Sequence, residues 1–278
     1  MGSWHVAHAQ PYSEHPFSTA LHPTDSRITI RRSSSDIIEQ VLAAIHEAGH
    51  NFYETGLPQE HFGTPLGESV SLSVHESQSR LWEIMIGKSQ WFAFHLYDIL
   101  KSYTDAFSSP EELYQTINAV DFSPIRVQAD DLTYPIHVLL RFDIEKDLMQ
   151  GTLYARDIKE RWNHDMQRLL GITPQSDNHG CLQDVHWSVG LIGYFPTYTL
   201  GTLYAANLYN AMSLSIPNFT QQLTCGIYTP VHQWLSKNIW KHARRYLSAD
   251  LISRAIGHTP NENDFISYLQ KKYLMIQP

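Results

Sequence analysis

The sequence predicts a mainly α-helical fold with a small β edge. Apolar residues recur three and four positions apart through most of the 278-residue chain, which is the spacing of one face of an α-helix. Strict alternation of apolar and polar residues, typical of a half-buried strand, occurs mainly at residues 25–31 and 70–74. The hydrophobic fraction of 42% is ample for a packed core, so we expect the helices to form a globular protein.

The first long helix is predicted over residues 36–54. Asp36 followed by Glu39 is typical of a helix N-cap and its partner three residues on. Apolar residues then recur at helical spacing, and Gly56 ends the pattern. These features place residues 46–50 inside a helix and not in a loop.

The run His46-Glu47-Ala48-Gly49-His50, an HEXXH motif, predicts a metal site on this helix. Residues four apart lie one above the other on a helix, so His46 and His50 can offer two imidazole nitrogens to one metal. Glu47 lies beside them, where its carboxylate can accept a proton from a water activated by the metal. The motif is short and the chain contains 16 histidines, but its place in a predicted helix argues against a chance match.

A third protein ligand is expected, because catalytic zinc sites usually have three. Glu76 is the candidate, since it follows a turn-rich stretch and opens a second helical pattern over residues 69–103. A helix, a turn and a returning helix would bring its carboxylate back to the two histidines. Glu76 could instead be an exposed helix carboxylate that pairs with Arg80, four residues on.

Six further helices are predicted after these two. They cover residues 110–120, 132–153, 158–170, 201–214, 233–247 and 262–275. Glu111 and Glu112 in a first turn and Gly171 after a last turn are typical of helix ends. A chain of this length could form one large domain or two small ones, and we expect a single domain over residues 1–278.

Charge and cysteine content exclude several classes of protein. The net charge of −8 argues against a general nucleic-acid binder, which usually has a basic balance. No apolar run approaches the ~20 residues that span a membrane, so we expect no membrane partner. The two cysteines, Cys181 and Cys225, are too few for a disulfide scaffold and favour a reducing, cytoplasmic compartment.

Several other stretches occur in an order that is typical of one enzyme family. They are His15-Pro16-Phe17, Asp25-Ser26-Arg27-Ile28-Thr29, His75-Glu76-Ser77-Gln78, Ile125-Arg126-Val127-Gln128-Ala129-Asp130, Gly180-Cys181-Leu182-Gln183-Asp184-Val185-His186-Trp187 and Tyr194-Phe195-Pro196-Thr197-Tyr198. Together with the HEXXH motif they resemble the signature set of the Taq-type thermostable metallocarboxypeptidases, across nearly the whole chain. The resemblance favours Glu76 as the third ligand.

The resemblance implies a zincin-like helical metallopeptidase with a deep cleft, working as a homodimer. It implies removal of C-terminal residues, with broad specificity, from peptides that carry a free C-terminal carboxylate. His46, His50 and Glu76 would hold one divalent ion, with zinc expected and cobalt or manganese as alternatives. Family members are typically longer, so the chain is expected to correspond to the catalytic C-terminal half, without the N-terminal helical half.

The resemblance also implies residues that contact the substrate. Arg126 lies in the motif to which carboxylate binding is attributed, and its planar fork matches two carboxylate oxygens; alternatively, it pairs structurally with Asp130. His186 and Tyr198 are expected to stabilise the charge that develops on the carbonyl oxygen, and Tyr194 to contact the substrate. Asp130 and Asp184 are expected to orient the ligand imidazoles.

Two other functions stay open at this point. An oligo-endopeptidase on a related helical scaffold would not need Arg126. A truncated remnant could keep the metal motif and serve as a dimerising or binding module.

Overall fold

The computed structural model of the chain describes Ser13, residues 16–30 and residues 37–274. The predicted N-cap residue Asp36, and His15 of the resemblance motifs, lie outside these residues. The described part is mainly α-helical with one small sheet, which confirms the predicted fold class. None of its helices combines the length and the apolar character needed to cross a membrane.

Two strands form the sheet, β1 (Phe17–His22) and β2 (Asp25–Thr29). They pair antiparallel, from Phe17 opposite Thr29 to Ala20 opposite Ser26, and both contact the first helix. This is the predicted β edge. The prediction of a second strand at residues 70–74 is wrong. Ser71 caps a helix there, because its Oγ accepts a hydrogen bond from the backbone N–H of Val74 at 3.2 Å.

Eleven α-helices occur in the described residues. They are α1 (Ile37–Gly56), α2 (Leu72–Arg80), α3 (Gln90–Leu100), α4 (Pro110–Ile117), α5 (Tyr134–Met149), α6 (Ile158–Leu170), α7 (Pro196–Ser215), α8 (Phe219–Thr224), α9 (Thr229–Asn238), α10 (Ser248–Ile256) and α11 (Asn263–Leu274). The predicted helix over 158–170 matches α6. The sequence did not predict α8 or α10.

Two of the predicted helices are interrupted in the structure. The pattern over residues 69–103 is divided into α2, a π-helical segment at Leu81–Gly87 and α3, which Ser89 caps. Within the pattern over 233–247, the α-helix ends at Asn238. A 3-10 segment follows, in which Ala243 has φ 46°. Both breaks occur next to side chains that are buried, so local spacing alone did not reveal them.

The described residues divide into two compact units. The first comprises residues up to Ile117 and from Gly201 onward, and the second is Asn118–Leu200. Each unit has its own buried apolar core. In the first it includes Tyr53, Leu81, Leu208 and Trp240, and in the second it includes Leu140, Ile144, Trp162 and Met166. A single catalytic domain built from both units stays a prediction.

Candidate metal centre and catalytic residues

Gly49 allows α1 and α2 to come close together at the HEXXH motif. A Cβ atom at this position would lie 2.6 Å from Cα of Ser79 and 2.7 Å from the carbonyl oxygen of Gln78. These are backbone atoms of α2, which a larger side chain would have to displace. The glycine between the two motif histidines therefore lets the helix that carries Glu76 approach them.

His46, His50 and Glu76 converge at this point. Their potential ligand atoms all lie within 4.8 Å of one another. Nε2 of His46 and Nε2 of His50 are 3.9 and 3.6 Å from Oε2 of Glu76. Two donors on one tetrahedral zinc ion lie roughly 3.3–3.6 Å apart, so little movement would be needed to hold an ion. The three residues therefore fit a divalent metal.

The other ring nitrogen of each histidine has a partner. Nδ1 of His46 lies 2.8 Å from Oε2 of Glu83, and Nδ1 of His50 lies 2.6 Å from Nδ1 of His75. The expectation that Asp130 and Asp184 orient these imidazoles is therefore wrong. Sequence reasoning missed this role of Glu83. The signal was its position seven residues after Glu76, two turns along nearly the same helix face.

Glu76 combines both predicted interactions. Its Oε1 accepts a hydrogen bond from Nε of Arg80 at 2.9 Å, while its Oε2 faces the two histidines. Arg80 also donates from Nη1 to Glu83 at 3.3 Å. The pairing with Arg80 is thus confirmed, but Glu76 is only 6% exposed, so it is not a surface carboxylate.

Burial and charge set the protonation of these groups. Burial, with His46 and His75 nearby, holds the pKa of His50 well below its usual value. Burial alone would lower the pKa of His46, but Glu76 and Glu83 outweigh it and raise that pKa. Burial raises the pKa of the Glu47 carboxyl, which is 7% exposed. A buried carboxylate with a raised pKa beside the ligands is suited to accept a proton.

A second glycine, Gly201 of α7, packs directly on Glu76. A Cβ atom at this position would lie 2.6 Å from Cγ and 2.7 Å from Cβ of Glu76. Any larger residue would press on the carboxylate side chain. Sequence reasoning gave Gly201 no role, because the contact joins residues far apart in the chain.

Arg126, in the second unit, pairs with Asp184 and not with Asp130. Its Nε and Nη2 donate to Oδ1 of Asp184 at 3.1 and 2.8 Å, and its Nη1 donates to the hydroxyl of Tyr134 at 2.7 Å. Oδ1 of Asp130 instead accepts hydrogen bonds from the backbone N–H groups of Leu132 and Thr133, at 2.8 and 3.0 Å. The alternative of an Arg126–Asp130 pair is therefore wrong, because Asp130 caps its own turn.

The other predicted substrate residues lie in the same unit as Arg126. Nε2 of His186 is 2.9 Å from the hydroxyl of Tyr198, and the Arg126 guanidinium lies 4.7 Å from the centroid of the Tyr198 ring. The ring of Tyr194 is 5.3 Å from that of His186. Burial, with Arg126 nearby, lowers the pKa of His186, which favours the neutral imidazole. The structure thus brings together the arginine, the histidine and both tyrosines.

Comparisons with known proteins all indicate the same enzyme family. Residues 6–273 match the carboxypeptidase Taq (M32) metallopeptidase family. The chain is similar to thermostable carboxypeptidase 1 of Pyrococcus furiosus, with 40% identity over 94% of this chain and 53% of that protein. It is also similar to carboxypeptidase 1 of Bacillus subtilis, with 38% identity over 93% of this chain and 52% of that protein.

Solved structures give the same result. The M32 carboxypeptidase of Deinococcus radiodurans superposes with a TM-score of 0.91 at 38% identity, covering 95% of this chain and 54% of that one. The chain spans about half the length of the curated relatives that it matches. On the family match over residues 6–273, the chain belongs to the carboxypeptidase Taq (M32) metallopeptidase family.

Proposed function

We propose that this chain is a metal-dependent carboxypeptidase that removes C-terminal residues from peptides with broad specificity. The observation that carries the proposal is the convergence of His46, His50 and Glu76 beside the buried carboxylate of Glu47. Family membership and the names of the relatives support the reaction class. Zinc is the proposed metal, because a two-histidine, one-carboxylate donor set is typical of catalytic zinc sites.

Glu47 acts as the general base. The divalent ion would activate water and polarise the scissile carbonyl. Glu47 accepts the proton of the attacking water and then gives it to the leaving amine. Its raised pKa suits both steps, because the carboxylate must hold the proton before it passes it on.

Arg126 binds the terminal carboxylate of the peptide. Its guanidinium has five N–H groups, of which three are used by Asp184 and Tyr134. Tyr198 donates its hydroxyl proton to the carbonyl oxygen as negative charge develops. This direction requires His186 to donate from Nε2 to the tyrosine oxygen, which the 2.9 Å contact allows. Tyr194, beside His186, contacts the substrate.

The assembly and location are also proposed. We infer a homodimer from the family resemblance and a cytoplasmic location from the two free cysteines, Cys181 and Cys225. Light scattering of the purified chain tests the dimer, since a monomer at micromolar concentration would contradict it.

Two other functions are alternatives to this proposal. Three N–H groups of Arg126 are already bonded within the chain, which favours an oligo-endopeptidase that does not use this arginine. A metal-binding remnant without turnover is the second alternative.

One assay separates the three functions. A peptide with a free C-terminal carboxylate and its C-terminal amide are incubated with zinc-loaded and with metal-stripped protein, and products are identified by mass. We expect stepwise loss of C-terminal residues from the free acid, with the zinc-loaded protein only. Equal cleavage of the amide would indicate an endopeptidase, and bound zinc without cleavage would indicate a remnant.

A further inference from the structure

His75 connects the proposed ligand His50 to a second carboxylate, Glu54. Its Nδ1 lies 2.6 Å from Nδ1 of His50, and its Nε2 lies 2.7 Å from Oε1 of Glu54. The mechanism proposed above uses neither His75 nor Glu54. Both side chains are mostly buried, with 21% and 24% of their surface exposed.

Helix spacing explains why these groups meet. His46, His50 and Glu54 are four residues apart on α1, so they lie along one face of the helix. His75 directly precedes Glu76 on α2, so the helix that supplies the third ligand also supplies the bridging ring. The ring of Tyr53 packs at 5.4 Å from that of His75, and its hydroxyl accepts from the backbone N–H of Val70 at 3.3 Å.

The contacts among His50, His75 and Glu54 determine which ring nitrogens carry hydrogen. Two nitrogens 2.6 Å apart share one hydrogen, so one donates and the other accepts. A metal at Nε2 of His50 needs the lone pair there, which places the hydrogen of a neutral His50 on Nδ1. Nδ1 of His75 must then accept. The hydrogen of a neutral His75 is therefore on Nε2, where it points to the Glu54 carboxylate.

We infer that Glu54 and His75 are positioning residues, which fix the tautomer and ring orientation of His50 and thereby tighten metal binding. The inference rests on the proposed metal site. His46 has a simpler version of the same arrangement, because its Nδ1 contacts the Glu83 carboxylate directly at 2.8 Å. Partners of this kind typically change metal affinity 10–100-fold when they are removed.

Zinc affinity of the full-length chain tests the inference without any activity assay. The dissociation constant is measured by competition with a chromophoric chelator for wild type, Glu54→Ala and Glu54→Gln. We expect the alanine variant to bind zinc about 10–100-fold more weakly. The glutamine variant should recover most of the affinity, because its amide oxygen can still accept from Nε2 of His75. Loss to the same degree in both variants would overturn the inference.

Glu68→Ala is the matched control. Glu68 pairs with Arg244 at 2.8 Å and is about half exposed. Its loss therefore removes a carboxylate charge without changing the contacts among His50, His75 and Glu54. Its zinc affinity should equal that of wild type. If Glu68→Ala weakens binding as much as Glu54→Ala, the effect is one of net charge and the inference is wrong.

A double-mutant cycle tests whether Glu54 acts through His75. His75→Phe keeps a ring but removes both nitrogens, so it should weaken zinc binding at least as much as Glu54→Ala. Adding Glu54→Ala to His75→Phe should cause no further loss, because the connection is already broken. Additive losses would show that Glu54 acts by another route. Urea unfolding of the metal-free variants confirms that each is folded.

The same data separate this inference from the proposed function. If wild type binds zinc but cleaves no peptide, the carboxypeptidase proposal fails while the affinity differences still decide the role of Glu54 and His75. If wild type binds no zinc, the metal site and the positioning role are both wrong.

Discussion

Arg126 and Arg141 share the carboxylate of Asp184. Arg126 donates to Oδ1 from Nε and Nη2, at 3.1 and 2.8 Å, while Nε of Arg141 donates to Oδ2 at 2.7 Å. Arg126 and Arg141 are 6% and 0% exposed. Two guanidinium groups and one carboxylate leave one positive charge unbalanced among these three side chains. The carboxylate of a peptide terminus would balance that charge, which supports the proposed role of Arg126.

Arg126→Ala should weaken catalysis on free-carboxylate peptides by about 2–4 kcal/mol in transition-state binding, the scale of a lost charged contact. Zinc content should not change, since arginine is no ligand. Asp184 keeps its bonds to Arg141, so the unit should stay folded. The measurement is kcat/KM on a free-acid peptide and on its amide, with the amide rate expected to change little.

Arg161→Ala is the control for this variant. Arg161 also bonds two carboxylates, those of Asp147 and Asp165, both at 2.6 Å, but it is absent from the proposed site. Its kcat/KM should match wild type. An equal loss on acid and amide in Arg126→Ala, together with a lower melting temperature, would mean that Arg126 is only a structural partner of Asp184.

Glu76→Ala should lower both zinc affinity and activity, because it removes one of three proposed ligands. Zinc content after dialysis against a weak chelator measures the effect. A variant that retains tightly held zinc at full occupancy would show that the third ligand lies elsewhere, and would overturn the argument from the turn between α1 and α2.

The convergence of the three proposed metal ligands could be predicted from sequence because each signal is local. The i, i+4 spacing of His46 and His50 depends only on helix geometry, and a turn-rich stretch before Glu76 predicts a returning helix. The structure brings the three together as expected. Most helices were found for the same reason, since apolar spacing within one segment is enough to predict them.

What the sequence missed depends on contacts between distant segments. Asp184 is 58 residues from Arg126, so nothing in the arginine's own motif indicated this partner over the nearer Asp130. The π-helical turn at Leu81–Gly87 lies among side chains buried on nearly every side, which gives no clear periodicity. The contact of Gly201 with Glu76 likewise requires the packed structure.

Gly49→Ala should destabilise the chain although alanine is the better helix former by about 1 kcal/mol. The added Cβ would lie 2.6 Å from Cα of Ser79, so α1 and α2 must separate, which typically costs about 1–3 kcal/mol. Urea unfolding of the metal-free protein measures the change. A variant as stable as wild type would mean that the two helices do not pack this closely.

We expect His137 to lower the stability of the folded chain as the pH falls. Burial, aided by the charge of Arg141, lowers its pKa to about 4, and its Nε2 contacts the carbonyl oxygen of Ser123 at 3.1 Å. Between its ordinary pKa near 6.5 and about 4, the unfolded chain binds a proton that the folded chain excludes. The contribution of neutral His137 to the free energy of unfolding is complete above pH 6.5. About 3 kcal/mol of that free energy is lost as the pH falls to 4.

The free energy of unfolding of wild type and His137→Gln, measured against pH, checks this. The glutamine can still donate to Ser123 but does not titrate, so the difference between the two proteins should change through this window and be constant above it. A constant difference from pH 4 to pH 7 would mean that His137 protonates normally in the folded chain.

The most direct test of the account is the turnover of one free-acid peptide by wild type and Glu47→Gln at equal, measured zinc occupancy. Glutamine keeps the shape of the side chain but cannot accept a proton. We predict that the variant binds zinc as wild type does and loses at least about 10²–10⁴-fold in kcat, the range for a lost general base. A variant that loses its zinc, or one that holds zinc and turns over at the wild-type rate, would contradict the account.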